Sequence, residues 1–256
     1  METKNFKKKY LLVIWIATFI VIITALLTHM FNFFEFGLKM DNFEYDFSGE
    51  SIEDIKVELD AADIDIEYGD HTLVTYYGAA KYEPEVSCSD GKLSIISKNH
   101  IRNINHMNDY KIRIMIPTGT TLDSLVVAVD AGDIDIVDVK GDEMTVDTDA
   151  GDYRVTDVAF TKGSLTADAG DIKISDSVFD SMKVDADLGN IDIKNVKADA
   201  VQLNVEAGDV NADGDFKKLE ATCELGAIDI TVPDPDQVDL DLDCELGSIE
   251  VNGKDW

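Results

Sequence analysis

Asp130-Ala131-Gly132-Asp133-Ile134-Asp135-Ile136 is the stretch on which the fold turns. It returns as Asp149-Ala150-Gly151-Asp152-Tyr153-Arg154-Val155, as Asp168-Ala169-Gly170-Asp171-Ile172-Lys173-Ile174 and as Asp187-Leu188-Gly189-Asn190-Ile191-Asp192-Ile193. Weaker copies surround Gly208, Gly226 and Gly247. From Gly132 through Gly151, Gly170, Gly189, Gly208 and Gly226 to Gly247 the glycines step by 19, 19, 19, 19, 18 and 21 residues. A fixed period that carries strand-like text marks a repeat architecture. One such unit cannot bury its apolar face alone, so stacked neighbours must supply the core.

Within one unit the alternation assigns sides. Leu125, Val127 and Val129 are expected to point inward, Asp130 outward and Ala131 inward. Gly132 turns the corner, because a sharp turn often needs a positive φ that glycine adopts freely. Asp133 and Asp135 then point out while Ile134 and Ile136 point in, and a short turn near Val139 to Gly141 leads to the next unit. Two strands and two turns in 19 residues leave no room for a helix. They suit one coil of an all-β, parallel β-solenoid, in which seven coils rise roughly 34 Å at the usual strand spacing. A stacked antiparallel sandwich also has turns every 8–12 residues or so, but the near-constant step favours the solenoid.

The regular repeats occupy residues 123–256. Residues 52–122 are less regular and are expected to form an N-terminal β region or cap, with room for antiparallel strands. Asp60-Ala61-Ala62-Asp63-Ile64-Asp65-Ile66 reads there as a copy of the repeat without its glycine, and Ser89-Asp90-Gly91-Lys92 is a turn signal. Residues 35–51 read as a connector.

Residues 1–10 are basic, with Lys4, Lys7, Lys8 and Lys9, and Leu11 to Thr28 carries no charge. The apolar character continues to Phe34, long enough to cross a bilayer. Residues 11–34 are therefore expected to be a single membrane anchor. By the positive-inside rule the tail at 1–10 lies in the cytoplasm and the rest outside. A cleaved signal peptide is the competing reading, disfavoured by the length of the run and the lack of a small-x-small cleavage site.

In a solenoid, equivalent residues stack into columns. Asp130, Asp149, Asp168, Asp187, Glu206, Glu224 and Glu245 form one, and Asp133, Asp152, Asp171, Asn190, Asp209, Ala227 and Ser248 another. Calcium favours several carboxylate oxygens, which makes Asp130, Asp149, Asp168, Asp187, Asp133, Asp152 and Asp171 candidate ligands. The preferred alternative is structural, with corner aspartates bonding nearby backbone N–H groups. A third column, Asp135, Arg154, Lys173, Asp192, Asn211, Asp229 and Glu250, mixes signs and reads as cross-strand charge pairing. Cys223 and Cys244 hold the place of Val129 in successive coils, so either a disulfide or two small buried hydrophobes can result, the latter preferred. His100 and His106 lack a third ligand for a metal site.

Acidic residues number 52 against 22 basic, a formal net charge of -30. That surface repels nucleic acid, whose binding needs Lys and Arg to neutralise phosphates. No nucleophile, base and orienting group stand out as a catalytic set, so no cofactor and no catalytic residue is assigned. A polysaccharide-cleaving β-helix would need aromatic platforms, and the repeats offer only Tyr153, Phe160, Phe179 and Phe216.

Ile112-Arg113-Ile114-Met115-Ile116-Pro117-Thr118-Gly119-Thr120, Leu122-Asp123-Ser124-Leu125 and the recurring Ala-Gly-Asp-Ile resemble a bacterial family of candidate adhesins of unknown function. The resemblance covers about residues 50–252. It implies a right-handed β-solenoid behind one N-terminal membrane helix and no catalytic residues. Some members accompany envelope-stress sensing systems in Gram-positive bacteria. The expected function is a non-enzymatic, membrane-anchored extracytoplasmic solenoid that binds an envelope or surface protein or glycan. The alternative is a carbohydrate-active β-helix enzyme.

Overall fold

The computed structural model describes residues 39–99 and 110–256. The anchor assigned to residues 11–34, the basic tail, and His100 and His106 lie outside the described residues. Among those described, no helix is long and apolar enough to cross a membrane.

Met40–Trp256 is one unit, and among the described residues its strands join a single 18-stranded sheet. The repeat begins earlier than its glycines. Strands β2 (Asp54–Ala61) and β3 (Asp63–Gly69) pair in parallel with β8 (Thr121–Ala131) and β9 (Ile134–Val137). Leu59 stands beside Val129, and Ile64 beside Ile134. The Asp60–Ile66 stretch is thus a true coil, stacked on the first glycine-bearing one. Later coils follow in register through β10 (Lys140–Ala150), β11 (Tyr153–Thr156), β12 (Ala159–Ala169), β13 (Ile172–Ser175) and β14 (Val178–Leu188). The long strands β15 (Ile191–Ala207), β16 (Val210–Thr231) and β17 (Asp239–Val251) complete the stack.

The chain between β3 and β8 does more than cap. It returns as β6 (Lys92–Ile96) and β7 (Lys111–Pro117), parallel to β2 and β3, as a further layer ahead of them. Antiparallel strands then cover this end. Strand β5 (Glu85–Ser89) closes on β6 through Asp90 and Gly91, both at positive φ as a tight hairpin requires. Strand β4 (Leu73–Ala79) lies against β7, and β1 (Met40–Asp46) against β4. The connector assigned to residues 35–51 therefore contains a strand. Its run of alternating residues is short and polar, and it is held by pairing rather than by an apolar face of its own. Covering this edge removes a template for unwanted strand pairing.

Each coil has three sides rather than two. Two successive residues face out at Asp130 and Ala131, at Val137 and Asp138, and at Asp142 and Glu143. The ladder skips a residue at two of these bends, passing from Gly141–Phe160 to Glu143–Lys162 and from Thr148–Ala167 to Ala150–Ala169. The expected inward place of Ala131 is corrected accordingly. The double outward step exposes its column, and Leu188, Leu225 and Leu246 are 60%, 57% and 68% exposed. Gly141 is not part of a turn. It lies inside β10, beside Phe160, whose ring fills the space a side chain would take.

Inward columns of Ile, Val and Leu fill the interior, including Val127, Val146, Leu165, Val184 and Leu203. Phe160, Phe179 and Phe216 stack in line with Gly141 and Ala198, large beside small. Thr148 replaces a valine and satisfies its buried hydroxyl by donating to the Val129 carbonyl at 2.7 Å. Tyr153 replaces an isoleucine, and its hydroxyl donates to the Thr166 carbonyl.

Candidate functional site

The corner glycines are set by stacking as well as by φ. Gly151 has φ +151°, and a Cβ there would sit 2.0 Å from the Gly132 carbonyl oxygen. The same close seat recurs at Gly132, Gly170, Gly189, Gly208, Gly226 and Gly247. Gly132 rests on the Ala62 carbonyl. Ala62 itself is not at positive φ, which explains why the first coil tolerates alanine. The second corner uses other chemistry. Asp138, Asp157, Asp176 and Asn195 adopt left-handed φ of 51–56°, a conformation Asp and Asn tolerate better than other side chains.

The Asp133 column is a hydrogen-bonded ladder. Asp133 Oδ1 accepts from the Asp152 N–H at 3.0 Å, Asp152 Oδ1 from Asp171 at 2.9 Å, and Asp171 Oδ1 from Asn190 at 3.0 Å. Asn190 accepts from Asp209 and Asp209 from Ala227, both at 2.9 Å. Asp63 of the glycine-less coil starts the series by accepting from Asp133 at 3.1 Å. These side chains hold coil to coil.

Asp130, Asp149, Asp168 and Asp187 are exposed, one per coil, at the skipped ladder position. Among the described residues no three His, Cys, Asp or Glu side chains are grouped to hold a metal ion. One coil interleaves asparagines into the aspartate columns. Asn195 donates to Asp176 at 2.6 Å, Asn204 to Asp185 at 2.5 Å, and Asn211 to Asp192 at 3.0 Å. Each turns a like-charge neighbour into a hydrogen bond. In the mixed column, Arg154 pairs with Asp135 at 3.0 Å, while Lys173 reaches Asp171 at 3.6 Å within its own coil.

Cys223 and Cys244 are in-register neighbours, and both are free thiols, as is Cys88. Burial, and then Cys244, push the Cys223 thiol up to about 11. At neutral pH it is a thiol and not a nucleophilic thiolate.

Asp147 lies on the outer face two residues before Asp149. Burial raises its pKa above the ordinary carboxylate range, and Asp149 and Asp168 raise it further. The folded state therefore binds this proton more tightly than the unfolded chain, and ionisation costs stability as pH rises through the folded value. Asp147→Asn is expected to be more stable than the native chain at pH 7, and the gap should close as pH falls toward about 4, where the unfolded carboxyl also protonates. Urea midpoints at pH 7, 5 and 4 measure this. A gap that does not change with pH would remove Asp147 as its source.

Two troughs run along the stack on the face formed by the second half of each long strand. One has walls of Asp185, Asn204 and Thr222 on one side and Asp187, Glu206 and Glu224 on the other, and is strongly acidic. The other, of about 420 Å³, lies between a column of Glu143, Lys162, Ser181, Ala200 and Lys218 and a column of Thr145, Ser164, Lys183, Gln202 and Glu220. These columns carry no motif in the sequence. They become visible only when residues two places apart are read down the 19-residue step from the bend at Asp142.

A stacked, all-β solenoid with these ladders defines a class of repeat protein. The chain belongs to the Toastrack DUF4097 family, whose profile matches residues 52–254. It is similar in fold to a candidate adhesin from Bacteroides fragilis, with TM-score 0.63 and 18% identity, over 84% of this chain and 98% of that one. A candidate lipid binding protein from Parabacteroides distasonis gives TM-score 0.49 and 16% identity over 83% and 96%. No curated protein matches the chain.

Proposed function

We propose that this chain is a non-enzymatic β-solenoid held on the cell membrane by residues 11–34 and displayed outside the cytoplasm. There it binds an envelope or surface protein or glycan in an adhesin-like manner. The observation that carries this reading is the repeating surface. Stacking sets equivalent outward side chains one coil apart, as in the ladder from Asp63 to Asp209. Such arrays suit an extended partner more than a small enclosed substrate.

The solved relative named as a candidate adhesin points the same way. A link to envelope-stress sensing rests on the family resemblance. The charge of -30 disfavours nucleic acid and anionic lipid surfaces as partners. The enzyme reading loses its aromatic platforms, because Tyr153, Phe160, Phe179 and Phe216 are all buried in the interior.

Orientation is tested with protease added to intact protoplasts expressing the full chain. The β-solenoid should be digested and a short membrane-bound fragment left. A protected domain overturns the orientation. Incubating the purified chain with a polysaccharide panel tests the enzyme reading, and any turnover decides for it.

A further inference from the structure

We propose that the trough between Glu143 and Glu220 is a binding site for a neutral, linear, β-linked glycan, with about one sugar unit per coil. This deepens the surface-binding reading above and rests on it.

The first observation is charge. The walls carry Lys162, Lys183 and Lys218 against Glu143 and Glu220, so opposite signs nearly cancel in a chain of net charge -30. The neighbouring trough on the same face carries Asp185, Asp187, Glu206 and Glu224 with no cation. A third groove holds Glu50, Glu53 and Asp123. A polyanion would meet the long-range repulsion of the whole molecule. An uncharged chain does not.

The second observation is chemistry. Hydroxyl-rich ligands need donors and acceptors in alternation. Thr145, Ser164, Ser181 and Gln202 supply both, the lysines only donate, and the glutamates only accept. Lys162 pairs with Glu143 at 2.7 Å, both exposed, and the exposed Lys183 pairs with the half-buried Asp185 at 2.6 Å. Exposed pairs are weak enough for a ligand to recruit their groups.

The third observation is spacing. The trough runs across the strands, so its lining repeats at the strand separation of about 4.8 Å, and its two walls stand about 7 Å apart, two residues along a strand. An extended β-1,4-linked hexose chain advances by nearly one such separation per sugar, and a sugar ring fits that width. An extended peptide advances only about 3.3 Å per residue and falls out of step. It also finds few free backbone partners on the floor, because Met144, Gly163, Met182 and Val201 are paired coil to coil. With no aromatic wall, each sugar contributes little, and affinity has to come from length.

The test uses the full chain in detergent and β-1,4-linked glucose and N-acetylglucosamine oligomers of two, four, six and eight units, read by calorimetry. Affinity should climb with length and level off near the five coils of the trough. Ala200→Trp, which fills the trough from an exposed position, should abolish binding without shifting the thermal midpoint. Gln202→Ala should weaken it about fivefold, the value of one hydrogen bond. Asp135→Asn, on another side of the coil, should bind like the native chain. The proposal is overturned if no six-unit oligomer binds, if Ala200→Trp binds normally, or if polygalacturonate binds better than the neutral series. Retained binding to whole cell walls alongside any of these would leave the surface-binding reading standing. Shortening of the oligomers would instead refute the non-enzymatic reading.

Discussion

Gly151→Val is expected to cost more than about 4 kcal/mol, a loss reserved for backbone clash and strain together. The new Cβ would lie 2.0 Å from the Gly132 carbonyl oxygen and 2.6 Å from its carbon. Both atoms belong to the backbone of the preceding coil, so no side chain can turn aside. Separating the coils to make room would break ladder hydrogen bonds on both sides. Total stabilities run to about 5–15 kcal/mol, so the variant should be largely unfolded or fold only in stabilising co-solvent. Gly119→Ala is the control. Gly119 has φ +88° but nothing within 4 Å of its missing Cβ. It isolates the conformational part, worth about 1 kcal/mol. Urea denaturation followed by circular dichroism compares the two. Equal losses would mean that the corners are not seated on one another.

That contrast also shows where sequence was informative. The step of 19 and the alternation were enough to place coils, register and the glycine corner. The clash was not legible, because it depends on how closely the coils approach, and the residues involved are a full coil apart. The inward place expected of Ala131 fails for a related reason. Strict alternation assumes a flat strand, whereas each coil bends at the skipped residue and turns two neighbours outward. Asp157 holds φ +56° at the second corner, which its place on an outer turn does not reveal. Its replacement by alanine should therefore cost several tenths of a kcal/mol, not nothing.

Antiparallel strands and the turn at Ser89 to Lys92 were legible, but how β1, β4 and β5 pair was not, because none of them repeats. A chain excursion that leaves one coil and returns as the layer ahead of it leaves no period to detect. The trough from Glu143 to Glu220 was hidden for the opposite reason. Its residues do repeat in position, but their identities vary from Glu to Lys to Ser to Ala, so the column has no motif.

The second large effect concerns the Asp133 ladder. The triple variant Asp133→Ala, Asp152→Ala and Asp171→Ala removes the acceptors for three successive N–H groups. At about 1 kcal/mol per hydrogen bond, the loss is roughly 3 kcal/mol. Charge acts in the other direction. Carboxylates one coil apart repel by up to about 1 kcal/mol per pair in water, less in salt, so deleting them also brings relief. The matching triple Asn variant separates the two effects. Each asparagine keeps an oxygen for the next coil's N–H, as Asn190 already does for Asp209 at 2.9 Å, and loses the charge. It should therefore be at least as stable as the native chain at pH 7. The roughly 3 kcal/mol between the Ala and Asn variants then measures the hydrogen bonds alone, and equal midpoints would reduce the ladder to a coincidence of packing. Calcium gives a different pattern. If these carboxylates held it, millimolar Ca2+ would raise the native midpoint by mass action beyond a sodium control of equal ionic strength, and the Asn variant would lose that increment. With one oxygen of each Asp already committed to the backbone, the expected result is the same small shift from either salt.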